Sequence, residues 1–105
     1  MKYVPAARDE LFAAAEFYEV REPGLGVRFL LAVDGAVELI EAHPHASPVC
    51  LLPEVRDPVR QRRVPPFPFL VLYVLEPEPL IVAVAHSRRR PGYWRARLPA
   101  EPDME

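Results

Sequence analysis

The sequence predicts a single α+β domain: an N-terminal antiparallel helical hairpin packed on one face of a small, mainly antiparallel, curved sheet. Three observations carry that prediction. Apolar residues recur at helical spacing from Ala7 to Ala42, with one break at Arg21-Glu22-Pro23-Gly24. From Val59 onward the period becomes that of strands, with two apolar runs parted by Glu76-Pro77-Glu78-Pro79. The length of 105 residues, half of them hydrophobic, suits one core and one domain. The predicted order is β-α-α-β-β-β with a short C-terminal helix.

Each element has its own warrant. Tyr3 and Val4 read as a short first strand. Pro5 sits close to a helix start, where its missing N–H costs little. From Ala7 to Val20 the stripe is Leu11, Ala14, Ala15 and Tyr18, broadened by Phe12 and Ala13, and the alanine content favours helix. Asp9 and Glu10 are expected in the first turn, where the helix dipole favours acids. The second helix is expected from Gly24 or Leu25 to Ala42, with Phe29, Leu30, Val33, Val37 and Ile40 inward. Gly35 lies inside it, and an interior glycine costs roughly 1 kcal/mol relative to alanine. A close helix–helix contact at Gly35 is the expected compensation. His43-Pro44 ends the helix, and residues 44–53 read as loop. Val59–Val64 is an arginine-rich strand with Arg60 and Arg62 on one face and Arg63 on the other. Leu70–Leu75, apolar on both faces, is a central strand, and Leu80–Ala85 completes a hairpin with it. Pro91-Gly92 precedes a short helix over Tyr93–Leu98. The domain is expected to span residues 1–98, and residues 99–105 form an acidic, flexible tail. Phe12, Phe17, Tyr18 and Phe29 read as packing between hairpin and sheet, and Tyr73 as core.

Composition excludes several chemistries. The chain has no Asn, no Thr and two serines, and it lacks a Gly-x-Ser-x-Gly elbow, a phosphate-binding loop and a dinucleotide fingerprint. His43, His45 and Cys50 match no metal-ligand spacing, so neither a metal nor another cofactor is expected. A single cysteine cannot form an internal disulfide, and Met1–Pro5 does not read as a signal peptide, so a cytoplasmic protein is expected. No apolar run is long enough to span a membrane.

The net charge of −2 conceals a segregation. Residues 1–55 carry −5, residues 56–97 carry +6, and the last eight carry −3. The densest basic stretch is His86-Ser87-Arg88-Arg89-Arg90-Pro91-Gly92-Tyr93-Trp94-Arg95-Ala96-Arg97, which joins arginines to aromatic residues directly after an apolar strand. That mixture suits phosphate or carboxylate recognition. Arg60, Arg62, Arg88, Arg89, Arg90, Arg95 and Arg97 are the candidate contacts to a target or nucleic acid, on the sheet face left free by the helices. The simpler reading of any one of them is a solvated surface charge. Tyr93 and Trp94 are adjacent, so on a helix they point about 100° apart; Trp94 is the expected core anchor.

Four segments in order resemble the RelE/ParE toxin superfamily of type II toxin–antitoxin modules, also labelled plasmid-stabilisation proteins. They are residues 7–18, 23–30, 67–73 and 85–97, the last containing Pro91-Gly92-Tyr93-Trp94. The ending and the long hairpin look closer to the ParE-like branch. The resemblance implies a hairpin on a curved sheet and a small cytosolic toxin neutralised by a cognate antitoxin. It also implies a target, which is DNA gyrase for ParE-like members and ribosome-bound mRNA for RelE-like endoribonucleases. Homodimers, toxin–antitoxin hetero-oligomers and inactive homologues that only bind antitoxin belong to the same range. Pro66 stands where many relatives carry a basic residue before Phe-Pro-(Tyr/Phe), so that contact is either absent or supplied by Arg63.

Were the chain a metal-independent ribonuclease, it would need a base, an acid and cations around one phosphate. His86, Arg63 and Tyr93 are the candidates: His86 would move the proton, Arg63 with Arg88 would hold the phosphate in a forked manner, and Tyr93 would stack on a base or orient the hydroxyl. A lone histidine at a strand end serves equally as a hydrogen-bonding group of the fold.

Overall fold

The computed structural model describes residues 1–50 and 58–99. Strand β1 (Lys2–Tyr3) leads into helix α1 (Pro5–Arg21), and α2 (Leu25–Ala42) follows. Four more strands complete the sheet: β2 (Val49–Cys50), β3 (Val59–Arg63), β4 (Phe69–Val74) and β5 (Leu80–His86). A single 3₁₀ turn at Arg95–Arg97 replaces the predicted C-terminal helix. The sheet order is β1-β5-β4-β3-β2, antiparallel throughout except for the parallel pair β1/β5. The architecture is α+β, a helical hairpin on an open, mostly antiparallel sheet. Among the described residues, no helix is long and apolar enough to cross a membrane.

The hairpin forms where the period predicts it, with small shifts. Pro5 is the first residue of α1, so the helix starts two residues before Ala7 and Asp9 and Glu10 fall in its second turn, not its first. The α1–α2 junction is held by Glu19. Its carboxylate accepts the Gly24 N–H at 2.9 and 3.1 Å and the Gly26 N–H at 3.0 Å, satisfying amides that the start of α2 leaves open. Gly24 has φ +89°, a left-handed conformation that glycine adopts without penalty.

The expected close contact at Gly35 is corrected. A Cβ placed on Gly35 meets nothing within 4 Å, whereas one on Gly26 would lie 2.5 Å from the Ala15 carbonyl oxygen and 2.9 Å from Glu19 Cβ. The helices therefore cross at Gly26–Ala15. Phe12 and Phe17 are also corrected: they are 56% and 52% exposed, on the outer side of α1, while Phe29 is fully buried and Tyr18 partly so. The region 44–50, read as loop, contains the edge strand β2, which pairs Val49 with Arg60 and Cys50 with Val59. The rest of that loop, residues 51–53, and the tail beyond Pro99 lie outside the described residues.

Two apolar layers flank the sheet. Val71, Tyr73, Ile81 and Val84 face the hairpin and meet Phe29, Val33, Ala36 and Ile40. The alternate residues Leu72 and Val74 face the other way, with Val59, Val82 and Ala85, and there Trp94 lies across them, 2% exposed. The far face is thus covered by the chain's own C-terminal segment, and it is not the free arginine-bearing surface that the sequence suggested. Tyr73, fully buried, donates its hydroxyl to the Pro44 carbonyl at 2.7 Å, which fixes the end of α2 to the sheet.

Candidate functional site

The arginines fall into two states. Arg60 and Arg62 lie opposite Tyr73 and Val71 in the β3/β4 register, so they share the hairpin side of the sheet, and Arg63 faces the other way. Arg60 is committed internally: its Nη1 donates to the Ser47 and His45 carbonyls at 2.8 and 3.1 Å, tying down the segment before β2. Arg97 is committed as well, as is Arg89, whose guanidinium lies 3.9 Å from the Tyr93 ring centroid. Among the described residues, the side chains of Arg62, Arg63, Arg88 and Arg90 make no hydrogen bond, ion pair or ring contact. Arg88 and Arg90 are exposed in the turn after β5. Arg95, also exposed, is not free of partners.

The organising group is Glu10, which no sequence motif singled out. One carboxylate oxygen accepts Arg97 Nη1 at 2.7 Å and the Val84 N–H at 3.1 Å; the other accepts the Tyr93 hydroxyl at 2.7 Å and Arg97 Nη2 at 3.1 Å. Arg97 Nη1 also donates to the Val82 carbonyl at 3.1 Å. These contacts have a structural origin. Strand β1 covers only Leu80 and Ile81 of β5, and Val82 has no partner in β4, where the register steps from Leu72↔Ala83 to Tyr73↔Ile81. A bulge and a bare edge leave backbone groups open, and Glu10 with Arg97 closes them. The Tyr93 hydroxyl is pushed up to about 12, first by burial and then by its hydrogen bond to Glu10 and that residue's charge; Arg89 and Arg97 oppose the rise. Arg97 is likewise held more firmly protonated, chiefly by its hydrogen bond to Glu10.

His86, Arg63 and Tyr93 are not gathered about one point. β3 and β5 run in the same direction with β4 between them, so Arg63 and His86 end at the same end of the sheet but two strands apart. By strand parity Arg63 faces away from the hairpin and His86 towards it. The His86 ring packs edge-on against Phe69, 5.3 Å between centroids, and its Nδ1 accepts the Arg88 N–H at 3.1 Å. The Tyr93 hydroxyl is occupied by Glu10 beyond the outer edge of β5.

A second feature is a groove between α2 and the β3–β4 connection. Its floor is Ala32, Gly35, Ala36 and Leu39; Phe67 and Phe69 line it, and Arg62 and Arg63 stand on its rim. Ser47 lines it too, with a buried Oγ that has no hydrogen-bond partner among the described residues. Val27 and Leu31, both exposed, extend the apolar line of Gly35 and Leu39 along α2 at steps of four.

The aromatic cluster under this end of the sheet ties the distant segments together. Tyr18, Phe29, Phe67 and Phe69 pack with centroids 4.9–6.1 Å apart, and His86 joins through Phe69. Each of the four segments that resemble the toxin superfamily sends at least one side chain into it. Residues 1–91 match the family described as the ParE toxin of the type II toxin–antitoxin system parDE. The chain belongs to the ParE toxin family. No curated protein and no solved structure matches it significantly. Membership of a toxin–antitoxin family implies an antitoxin partner. Within this ParE-family chain, Glu10 and Arg89 lie inside the matched region, and Tyr93, Trp94 and Arg97 lie beyond it.

Proposed function

We propose that the chain is the toxin of a parDE-type plasmid-stabilisation module. In this reading it acts in the cytoplasm, arrests growth by inhibiting a nucleic-acid-processing target such as DNA gyrase, and is silenced by its cognate antitoxin. The observation that carries it is the unequal state of the arginines. Arg60, Arg89 and Arg97 serve the fold, whereas Arg88 and Arg90 project from the turn after β5 with no partner among the described residues. Two exposed, uncompensated guanidinium groups on one turn form a contact surface for phosphates or carboxylates.

Inhibition by binding is favoured over RNA cleavage on geometric grounds. In-line attack by a 2′-hydroxyl needs its acid, base and phosphate-binding cation around one phosphorus. His86, Arg63 and Tyr93 occupy two sheet faces and an outer edge, and the Tyr93 hydroxyl already has an acceptor. For the antitoxin, the groove beside α2 offers an apolar floor with Arg62 on its rim, a cation without a partner among the described residues. It suits an amphipathic segment that carries acidic side chains beside its apolar ones.

The test is tightly controlled expression in a bacterium, with and without the antitoxin, followed by a supercoiling assay of purified gyrase and mapping of RNA ends. Growth arrest with lost supercoiling, intact mRNA and relief by the antitoxin is the expected outcome. The Arg88→Ala/Arg90→Ala variant should lose inhibition but still bind antitoxin, and Leu39→Asp should do the reverse. Arrest with newly cut mRNA and unaffected gyrase would transfer the chain to the ribonuclease reading. Normal growth with antitoxin binding would leave it an interaction protein.

A further inference from the structure

We infer that Glu10 is the positioning residue of the arginine turn: through Tyr93 it holds Arg89 against an aromatic platform and so sets which arginines of the triplet face a partner. The inference rests on the reading that this turn meets the target. The Glu10 carboxylate is saturated by four donors, from Tyr93, Val84 and the two arms of Arg97. Its contact with the Tyr93 hydroxyl fixes the tilt of that ring, because the backbone anchors the other end through the buried neighbour Trp94. The ring then carries two guanidinium groups, Arg89 at 3.9 Å and Arg97 at 5.1 Å from its centroid. Two cations beside one ring repel each other unless a counter-charge is present, and Glu10 supplies it by pairing with Arg97.

Hydrogen bonds of the backbone set the path of the turn but not the direction of its arginine side chains. The Arg89 N–H reaches the His86 carbonyl at 2.9 Å, and the Tyr93 N–H reaches the Arg90 carbonyl at 3.3 Å. Among the described residues, no hydrogen bond or ion pair restrains a triplet side chain, and only Arg89 is held, by its stacking on Tyr93. Removing the Glu10 charge leaves Arg97 without a counter-ion and weakens the acceptor for the Tyr93 hydroxyl. Arg89 is then free to leave the ring, and all three arginines sample solvent. A partner must afterwards order three long side chains in place of two, an entropic cost on binding.

The experiment compares the full chain with Glu10→Gln, which keeps the size of the side chain and removes its charge, on wild-type and Arg89→Ala backgrounds. By NMR, the Arg89 side-chain resonances of the wild type should carry an upfield ring-current shift that collapses in Glu10→Gln. In the gyrase assay Glu10→Gln should weaken inhibition by about tenfold, the size of a typical coupling between contacting groups, and should change Arg89→Ala by less than about twofold. Antitoxin affinity should stay unchanged. An Arg89 shift that survives Glu10→Gln overturns the inference, as do additive effects of the two substitutions or a parallel loss of antitoxin binding. If the ring-current shift collapses but neither Glu10→Gln nor Arg88→Ala/Arg90→Ala alters inhibition, Glu10 still positions Arg89 and the target reading is what fails. Should Glu10→Gln fold poorly, Tyr93→Leu removes the platform directly and must abolish the same Arg89 shift.

Discussion

Glu10 and Arg97, 87 positions apart in sequence, form a forked ion pair across the open edge of β5, at 2.7 and 3.1 Å. The pair does the work of a missing strand, since Glu10 accepts the Val84 N–H and Arg97 donates to the Val82 carbonyl. Their side chains are 17% and 21% exposed, so the pair is partly desolvated and breaking it leaves poorly hydrated groups behind. Glu10→Ala should therefore lower stability by about 2–4 kcal/mol, because it also strands Tyr93 and Val84. In a double-mutant cycle read by denaturant unfolding, Glu10 and Arg97 should couple by about 1–3 kcal/mol. Additivity of the two losses would reduce the pair to a surface decoration.

Tyr93 makes the fold sensitive to alkali. Its hydroxyl is pushed up to about 12, first by burial and then by Glu10, from an unfolded value near 10. The folded state holds the proton more tightly than the unfolded state does. The stability this contributes is complete below pH ~10 and is lost as pH rises to ~12. Denaturation midpoints should fall across that window, and Tyr93→Phe, which has no proton to lose, should show a shallower fall. Some slope should remain, since Tyr3 and Tyr18 are also raised, chiefly by burial. An unchanged slope in Tyr93→Phe would assign the alkaline transition elsewhere.

The two helical glycines predict opposite signs. Gly35 sits mid-helix with nothing within 4 Å of an added Cβ. Gly35→Ala should raise stability by about 0.5–1 kcal/mol through helix propensity and the unfolded chain's entropy. At Gly26 the added carbon would meet the Ala15 carbonyl oxygen at 2.5 Å, and that atom is backbone. Gly26→Ala should push the helices apart and cost about 1–3 kcal/mol. Thermal unfolding of the two variants decides it, and a destabilised Gly35→Ala would show that the groove beside α2 is tighter than its geometry indicates.

How much of this was legible follows from range. The hairpin, β4 and β5 were readable because each is long enough for its apolar period to show. β2 was not: two residues among prolines carry no period, and Val49 and Cys50 are strand only because β3 lies beside them. Gly26 is hidden in the sequence because it follows Pro23-Gly24-Leu25 and reads as turn chemistry, while the contact that requires it comes from α1. The site divides the same way. A cluster of arginines is visible in any sequence, but which of them are free depends on Glu10, the His45 and Ser47 carbonyls and the Tyr93 ring, all set by tertiary structure. The family landmarks Tyr18, Phe29, Phe67, Phe69 and His86 meet in one aromatic cluster. They therefore mark how the chain folds more directly than what it binds.

Trp94 tests whether the C-terminal segment is part of the domain or an attachment to it. The indole is 2% exposed and lies on Leu72, Val74, Val82 and Ala85, the face of the sheet that no helix covers. Trp94→Ala should open a large cavity there and cost about 3–5 kcal/mol, and Trp94→Phe should cost less because most of the apolar contact survives. As the sole tryptophan, it reports its own surroundings: emission should be that of a buried indole and shift red on unfolding. If the segment belongs to one cooperative unit, the fluorescence transition will coincide with that seen by far-ultraviolet circular dichroism, which follows the helices. An earlier fluorescence transition would mean that the segment peels from the sheet first. The arginine turn would then be anchored only at its β5 end when the hairpin is still folded.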